Sequence, residues 1–258
     1  MNETSVDSPP PAVRVHYEVA GAVATVTLDS PHNRNALSRA LVGGLVDALR
    51  RADADDAVRV VVIAATGSVF CSGADLSEAG AGSMEEGAQA IVDLQRQILT
   101  LGKPVVCRLQ GAVRAGGTGI VAAADVAIAA ERATFALTEV RLGLAPAAIS
   151  LTVLPRMTSR AAALTALGGE PFGAREAAAM GLVTEVVPDA ELDARVAAVV
   201  ATLAAGALQG LRETKALLVR EIVADLDARG ADLAALSARL FASDEAKAAM
   251  TAFLTRGR

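Results

Sequence analysis

Short apolar runs set the terms on which this chain can fold. Arg59–Ala64 is a β-branched run that reads as a buried strand, and Pro104–Leu109 and Asp125–Ala129 read as further strands. Between the first two, residues 84–101 place Ile91, Leu94, Ile98 and Leu101 at helical spacing, with Gly102 and Pro104 closing the helix. Gly116–Ala124 is a second, shorter helix, and residues 134–137 a further short strand. Ahead of these, residues 13–20 and 22–28 alternate about Gly21 as a β-hairpin, and Pro31–Asn35 is a polar turn. Ser38 caps a helix whose one face carries Leu41, Leu45, Val46 and Leu49. The units are roughly β-β-α, about 45 residues long, and not alike enough to be a sequence repeat.

After residue 155 the pattern becomes mainly helical. From Glu191 onward it is Ala/Leu-rich helix, with breaks expected near Gly206–Gly210 and at Gly230. These helices are too apolar to stand alone in water, so packing on a neighbouring subunit is expected. The organisation read here is a disordered lead-in over residues 1–12, a strand-rich core over 13–200 and a helical segment over 201–258.

Composition narrows the function classes. A chain of 258 residues, 53% of them apolar, buries a substantial core, and the scarcity of aromatics (2%) means that Ala, Val and Leu build it. The net charge of −5 gives no sign of a nucleic-acid binder. Cys71 and Cys107 share no metal-ligand spacing with each other or with His16 and His32, so no metal is expected and the thiols read as reduced, structural and cytoplasmic. Met1–Pro11 has neither a basic start nor an apolar run, unlike a signal peptide, and no apolar run is long enough to span a membrane.

Three segments carry chemistry. Phe70-Cys71-Ser72-Gly73-Ala74-Asp75-Leu76 follows a buried strand, and Gln110 to Gly119 runs from a strand into a helix through Gly111, Gly116, Gly117 and Gly119. Both put glycine where backbone approaches a ligand, and two N–H groups aimed at one point make an oxyanion hole. The third, Phe135 to Pro146, sets one carboxylate, Glu139, in an apolar stretch, where burial would raise its pKa toward neutral pH. Taken singly, the glycines also read as turn and packing residues, and Glu139 as a solvated loop acid.

Order and spacing together resemble the crotonase, or enoyl-CoA hydratase/isomerase, superfamily, from about Val13 to Phe253. Asn35-Ala36-Leu37 is similar to the family's Asn-Ala-Leu, Phe70–Leu76 to its F-x-x-G-A-D-L/I loop, Ala115–Asp125 to its Gly-rich turn and helix, and Gly173–Val187 to its later helix and strand. The resemblance implies an α/β fold, a ββα superhelix core with a helical C-terminal oligomerisation segment, assembled as a homotrimer or dimer of trimers. It implies an acyl-CoA thioester as partner, with coenzyme A entering only as part of the substrate. Ala74 and Gly116 would donate to the thioester oxygen and Glu139 would move the proton. Ser72, Ala74, Asp75 and Leu76 would line the CoA path, with Arg34 near the nucleotide and Arg256 reaching the phosphates of a neighbouring subunit. Asp75 also reads as a turn cap.

The chain departs from the family at one place. Hydratases usually carry two glutamates, and the position of the first holds Gly119. The expected activity is hydration of a 2-enoyl-CoA, branched chains included, by a single Glu and therefore slowly on crotonyl-CoA unless Asp125 or Glu131 reaches the site. A Δ3,Δ2-enoyl-CoA isomerase, an acyl-CoA hydrolase and a non-catalytic acyl-CoA-binding protein are the alternatives. Gly119 is expected to leave room for a bulky acyl group, and Arg114 to pair with a substrate carboxylate or lie on the surface. Gly117-Thr118-Gly119-Ile120-Val121-Ala122 fits the dinucleotide fingerprint, but its helix is too short for a Rossmann crossover.

Overall fold

The structure, a computed structural model, describes residues 14–78 and 84–256. The lead-in expected over residues 1–12 lies outside them. The hairpin is formed by β1 (Arg14–Ala20) and β2 (Val23–Asp29), paired antiparallel about Gly21. Helix α1 (Arg39–Ala54) begins where Ser38 Oγ accepts the Leu41 amide, at 3.2 Å, and buries Leu41, Leu45 and Leu49. Then come β3 (Val60–Ala65), β4 (Val69–Cys71), α2 (Met84–Thr100), β5 (Val105–Leu109), β6 (Ala112–Arg114), α3 (Gly116–Ala123), β7 (Val126–Ala130) and β8 (Thr134–Ala136).

These strands alternate between two sheets. One has the order β1-β2-β3-β5-β7 and is closed by β10 (Glu185–Val187); β1 pairs antiparallel at its edge and the rest are parallel. The other runs β4-β6-β8 and ends on β9 (Phe172–Gly173), paired antiparallel. The pairs β3/β4, β5/β6 and β7/β8 therefore each place one strand in each sheet, and successive pairs stack as turns of a superhelix. The unit from Val60 to Val105 has the expected length, whereas that from Val105 to Val126 is about half as long, because α3 has only eight residues and follows β6 after a single residue. β10 is the later strand that the resemblance over Gly173–Val187 implied, whereas β4, β6 and β9 were not expected; at two or three residues each they carry no hydrophobic period.

Parallel strands must be covered on both faces. Val61, Ile63, Val105 and Cys107 join the main core with α1 and α2. Val60, Val62, Val106 and Ile128 point the other way and pack on Val196 and Val200 of α7 (Leu192–Ala204). Three further helices, α4 (Ala147–Arg156), α5 (Ser159–Gly168) and α6 (Ala174–Met180), follow the strand-rich part.

The C-terminal third differs from expectation in two ways. The boundary set after residue 200 falls inside α7. Gly230 breaks nothing: α8 (Leu208–Ala242) is one helix of 35 residues, and a Cβ on Gly230 would stand 2.8 Å from Val92 Cγ1, so this glycine lets α8 approach α2 closely. The inward face of α8 packs on α2 and α4 of its own chain. Its Lys215 is buried and donates to the Ile98 and Lys103 carbonyls and to Asp125 (2.8 Å), closing the end of α2. Helix α9 (Asp244–Arg256) ends the described chain, and the Arg256 side chain lies outside the described residues.

Candidate active site

The loop after β4 is stitched to the turn that follows the hairpin. Asn35 is fully buried; its Nδ2 donates to the Thr66 and Val69 carbonyls and its Oδ1 accepts the Ser30 amide, at 2.7–3.0 Å. The Leu37 amide donates to the Gly73 carbonyl (2.8 Å), a bridge that sets Leu37 beside Ala74. The Ser72 amide donates to Arg34 O and its hydroxyl to Asn33 O. Asp75 accepts from the Ser77 amide and hydroxyl and from Asn33 Nδ2. Desolvation pushes the Asp75 carboxyl up, but these hydrogen bonds outweigh it and leave it below the usual carboxylate range.

The second loop meets the first. A Cβ on Gly73, whose φ is +95°, would lie 2.8 Å from Ala115 Cβ, and one on Gly117 would lie 2.7 Å from Cys71 Cβ. Ala115 itself has φ 44° and ψ −119°, a conformation that strains an L-residue, and it turns the chain into α3. Gly116 is the first residue of that helix, so its amide has no partner within the helix. Ala74, Ala115 and Gly116 stand together on the wall of a largely apolar cleft of about 520 Å³.

Glu139 shares that wall. It opens a short 3₁₀ turn, Glu139–Leu142, which Gly143 ends in the left-handed conformation. Its Oε2 is buried and has no hydrogen-bond partner among the described residues. Burial pushes its carboxyl up to about 7, against a lowering contribution from its own backbone. A carboxylate of this kind exchanges protons near neutral pH, and peptide N–H groups on the same wall can hold an oxyanion.

Of the residues named from sequence, Ala74, Asp75, Gly116 and Glu139 line this cleft; Arg34, Ser72, Leu76 and Gly119 do not. Arg34 is exposed, in a left-handed turn position. Ser72 is tied to the Asn33–Arg34 backbone, and Leu76 starts a 3₁₀ turn. The volume expected at Gly119 is filled: a Cβ there would meet Ile149 Cγ2 at 2.6 Å and Gln95 Oε1 at 3.0 Å. Gln95 is buried, donates to the Ile91 and Ala148 carbonyls and accepts from Thr152 Oγ1. Neither candidate second acid approaches the cleft. Asp125 accepts the Val105 amide and pairs with Lys215, while Glu131 pairs with Arg175. Arg114 does not line the cleft and is not a free surface residue, since its half-buried guanidinium donates to Thr134 O and Oγ1.

Sequence reasoning missed Gln95 and the two α8 residues on the cleft, Ser237 and Phe241. Gln95 had a signal, a polar residue on the apolar face that carries Ile91 and Ile98. Ser237 and Phe241 had none, because only tertiary packing brings α8 to Ala148, whose amide donates to Ser237 Oγ (3.3 Å).

A two-sheet superhelix with paired glycine loops and one buried acid over an apolar cleft defines a class, and comparison with known proteins agrees. The Enoyl-CoA hydratase/isomerase family model matches residues 18–258. The chain belongs to this family, the crotonase superfamily. It is 34% identical to the "Probable enoyl-CoA hydratase" of Rhodobacter capsulatus, over 94% of this chain and 95% of that one. It is 32% identical to the 4-chlorobenzoyl coenzyme A dehalogenase-2 of an Arthrobacter species, over 76% and 75% of the two chains. The crystal structure of an enoyl-CoA hydratase from Mycobacterium avium superposes with a TM-score of 0.88 at 48% identity, covering 94% of this chain and 96% of that one.

Proposed function

We propose that this enzyme hydrates a 2-enoyl-CoA thioester, with the amides of Ala74 and Gly116 holding the thioester oxygen and Glu139 as the only proton-transfer group. The observation that carries the reading is the unpartnered, buried Glu139 carboxyl on the same cleft wall as Ala74 and Gly116. Ionised Glu139 takes a proton from water as the hydroxyl oxygen adds to C3. The electron pair passes through C2 to the thioester oxygen, and the resulting enolate recovers the proton at C2 from Glu139. Coenzyme A arrives with the substrate, and no other cofactor enters. Relatives whose names describe hydratases support the subtype; a relative named as a dehalogenase shows that the family name alone does not choose the reaction.

A second reading is favoured by one observation. Gln95 and Ile149 occupy the space beside Gly119, Asp125 and Glu131 are engaged elsewhere, and Asp75 and Glu78 on the cleft accept from Ser77, Asn33 and the Arg39 amide, so among the described residues none of these acids stands in for the family's first glutamate. A lone carboxylate suits isomerisation of a 3-enoyl-CoA, taking a proton from C2 and returning it at C4. Turnover of crotonyl-CoA against a 3-enoyl-CoA separates the two. Glu139→Gln is expected to lower turnover by about 10²–10⁴-fold on the true substrate while thioester binding persists. Hydration that is fast and indifferent to Glu139→Gln would remove both readings; binding without turnover in the wild type would leave an acyl-CoA-binding protein. We also propose assembly as a homotrimer or dimer of trimers, supported by exposed Val140 on the 3₁₀ turn and exposed Leu164 and Leu167 on α5, two elements in contact.

A further inference from the structure

The cleft continues past Glu139 between α1 and α2. It follows α1 from Arg39 to Arg50, a rise of about 16 Å. Val42 and Val46 wall it on one helix, Ala88 and Ile91 on the other, and it reaches charged groups at Asp47, Arg50 and Asp93. Each helix also contributes a glycine to this stretch, Gly43 and Gly87. Glycine is the weakest helix former after proline, so its place in a helix usually has a packing reason. Gly44 has one: a Cβ there would stand 2.9 Å from Val15 Cγ2. Gly43 and Gly87 show none among the described residues, where a Cβ on either would meet no heavy atom within 4 Å. Both are exposed and line the cleft.

We propose that this stretch holds the acyl chain of the thioester, unbranched and of medium to long length, and that Gly43 and Gly87 keep its course open. The proposal rests on the reading of Ala74, Gly116 and Glu139 as the thioester end. That end fixes where the acyl chain begins, and Ile149 and Gln95 close the Gly119 side against a branch. The apolar course that remains runs between the two helices. Substrate class therefore follows from helix separation rather than from the catalytic loops.

The test is calorimetric binding of free CoA and of saturated acetyl-, decanoyl- and hexadecanoyl-CoA to wild type, Gly43→Leu and Gly87→Leu. Leucine enters open space and improves helix propensity, so thermal melting at or above wild type confirms the fold, and two positions guard against failure of one. In wild type, affinity is expected to climb with length by up to about fourfold per buried methylene. In each variant the hexadecanoyl-to-acetyl affinity ratio is expected to fall at least tenfold. An unchanged ratio, or a wild type indifferent to length, overturns the proposal. So does equal weakening of free CoA and every thioester, which would put the pantetheine arm in the groove. Length-dependent binding with no turnover of any enoyl-CoA would remove the enzymatic reading and leave this one standing.

Discussion

Glu139 carries a measurable signature in stability as well as in rate. Its carboxyl is raised from an ordinary value of 4.5 to about 7, so between those values the folded protein keeps a proton that the unfolded chain has lost. Its contribution is therefore most favourable below about pH 4.5, falls as pH rises through the window, and is constant above about 7. The full difference is about 3 kcal/mol at most. Glu139→Gln, which cannot ionise, is expected to melt above wild type at pH 8, with the gap closing toward pH 4; a gap independent of pH would show that Glu139 is solvated. The same residue should give kcat/KM an ionisation near 7, read from its pH profile. Gly119 makes the opposite point. Ile149 and Gln95 already fill the space its side chain would need, so Gly119→Ala should cost about 1–3 kcal/mol in urea unfolding. Gly119→Glu should destabilise without supplying a second acid.

Among the elements, α1, α2 and α8 decide the shape of the cleft. Glycines in α1 and α8 look alike in sequence and differ in surroundings. Gly43→Ala and Gly230→Ala gain the same intrinsic propensity, about 1 kcal/mol. Gly43 faces open space and should realise most of it, whereas a Cβ on Gly230 would stand 2.8 Å from Val92 Cγ1, on a stiff β-branched side chain. Gly43→Ala is thus expected to raise the urea midpoint, and Gly230→Ala to fall behind it by about 1 kcal/mol or more. Equal midpoints would mean that α8 does not press on α2. Helix α3 shows why a short element can do chemistry: its eight residues are almost wholly buried, and the strained Ala115 at its start leaves the Gly116 amide without a helical partner at the cleft.

Across the whole molecule, the long C-terminal helix α8 helps to wall the cleft. Lys215 fastens α8 to the end of α2 and to Asp125 in the core, and further along the same helix Ser237 and Phe241 reach the cleft. What α8 leaves outside includes Leu217 and Leu218, each more than 70% exposed, and α5 leaves Leu164 and Leu167. Such surface is unfavourable in water and argues for association. Sedimentation velocity should find the protein at three or six times the chain mass of 26.1 kDa, and a single monomeric species at micromolar concentration would refute the assembly.

The sequence by itself determined the local decisions. Alternation about Gly21, the Ser38 cap, the β-branched run at Val60–Ile63 and the apolar face of α2 act over a few residues, where side-chain period and capping chemistry are decisive. It also held the order of the two glycine loops and Glu139, which is why the site's core was legible. Tertiary structure decided the rest. Only packing shows that Gln95 and Ile149 close the space at Gly119, that Gly230 is a contact rather than a break, and that Phe241 meets a cleft whose acid lies some hundred residues earlier. A glycine's sequence says that a side chain is missing; whether the space is then empty, as beside Gly43, or occupied, as beside Gly119, depends on atoms brought from elsewhere in the chain.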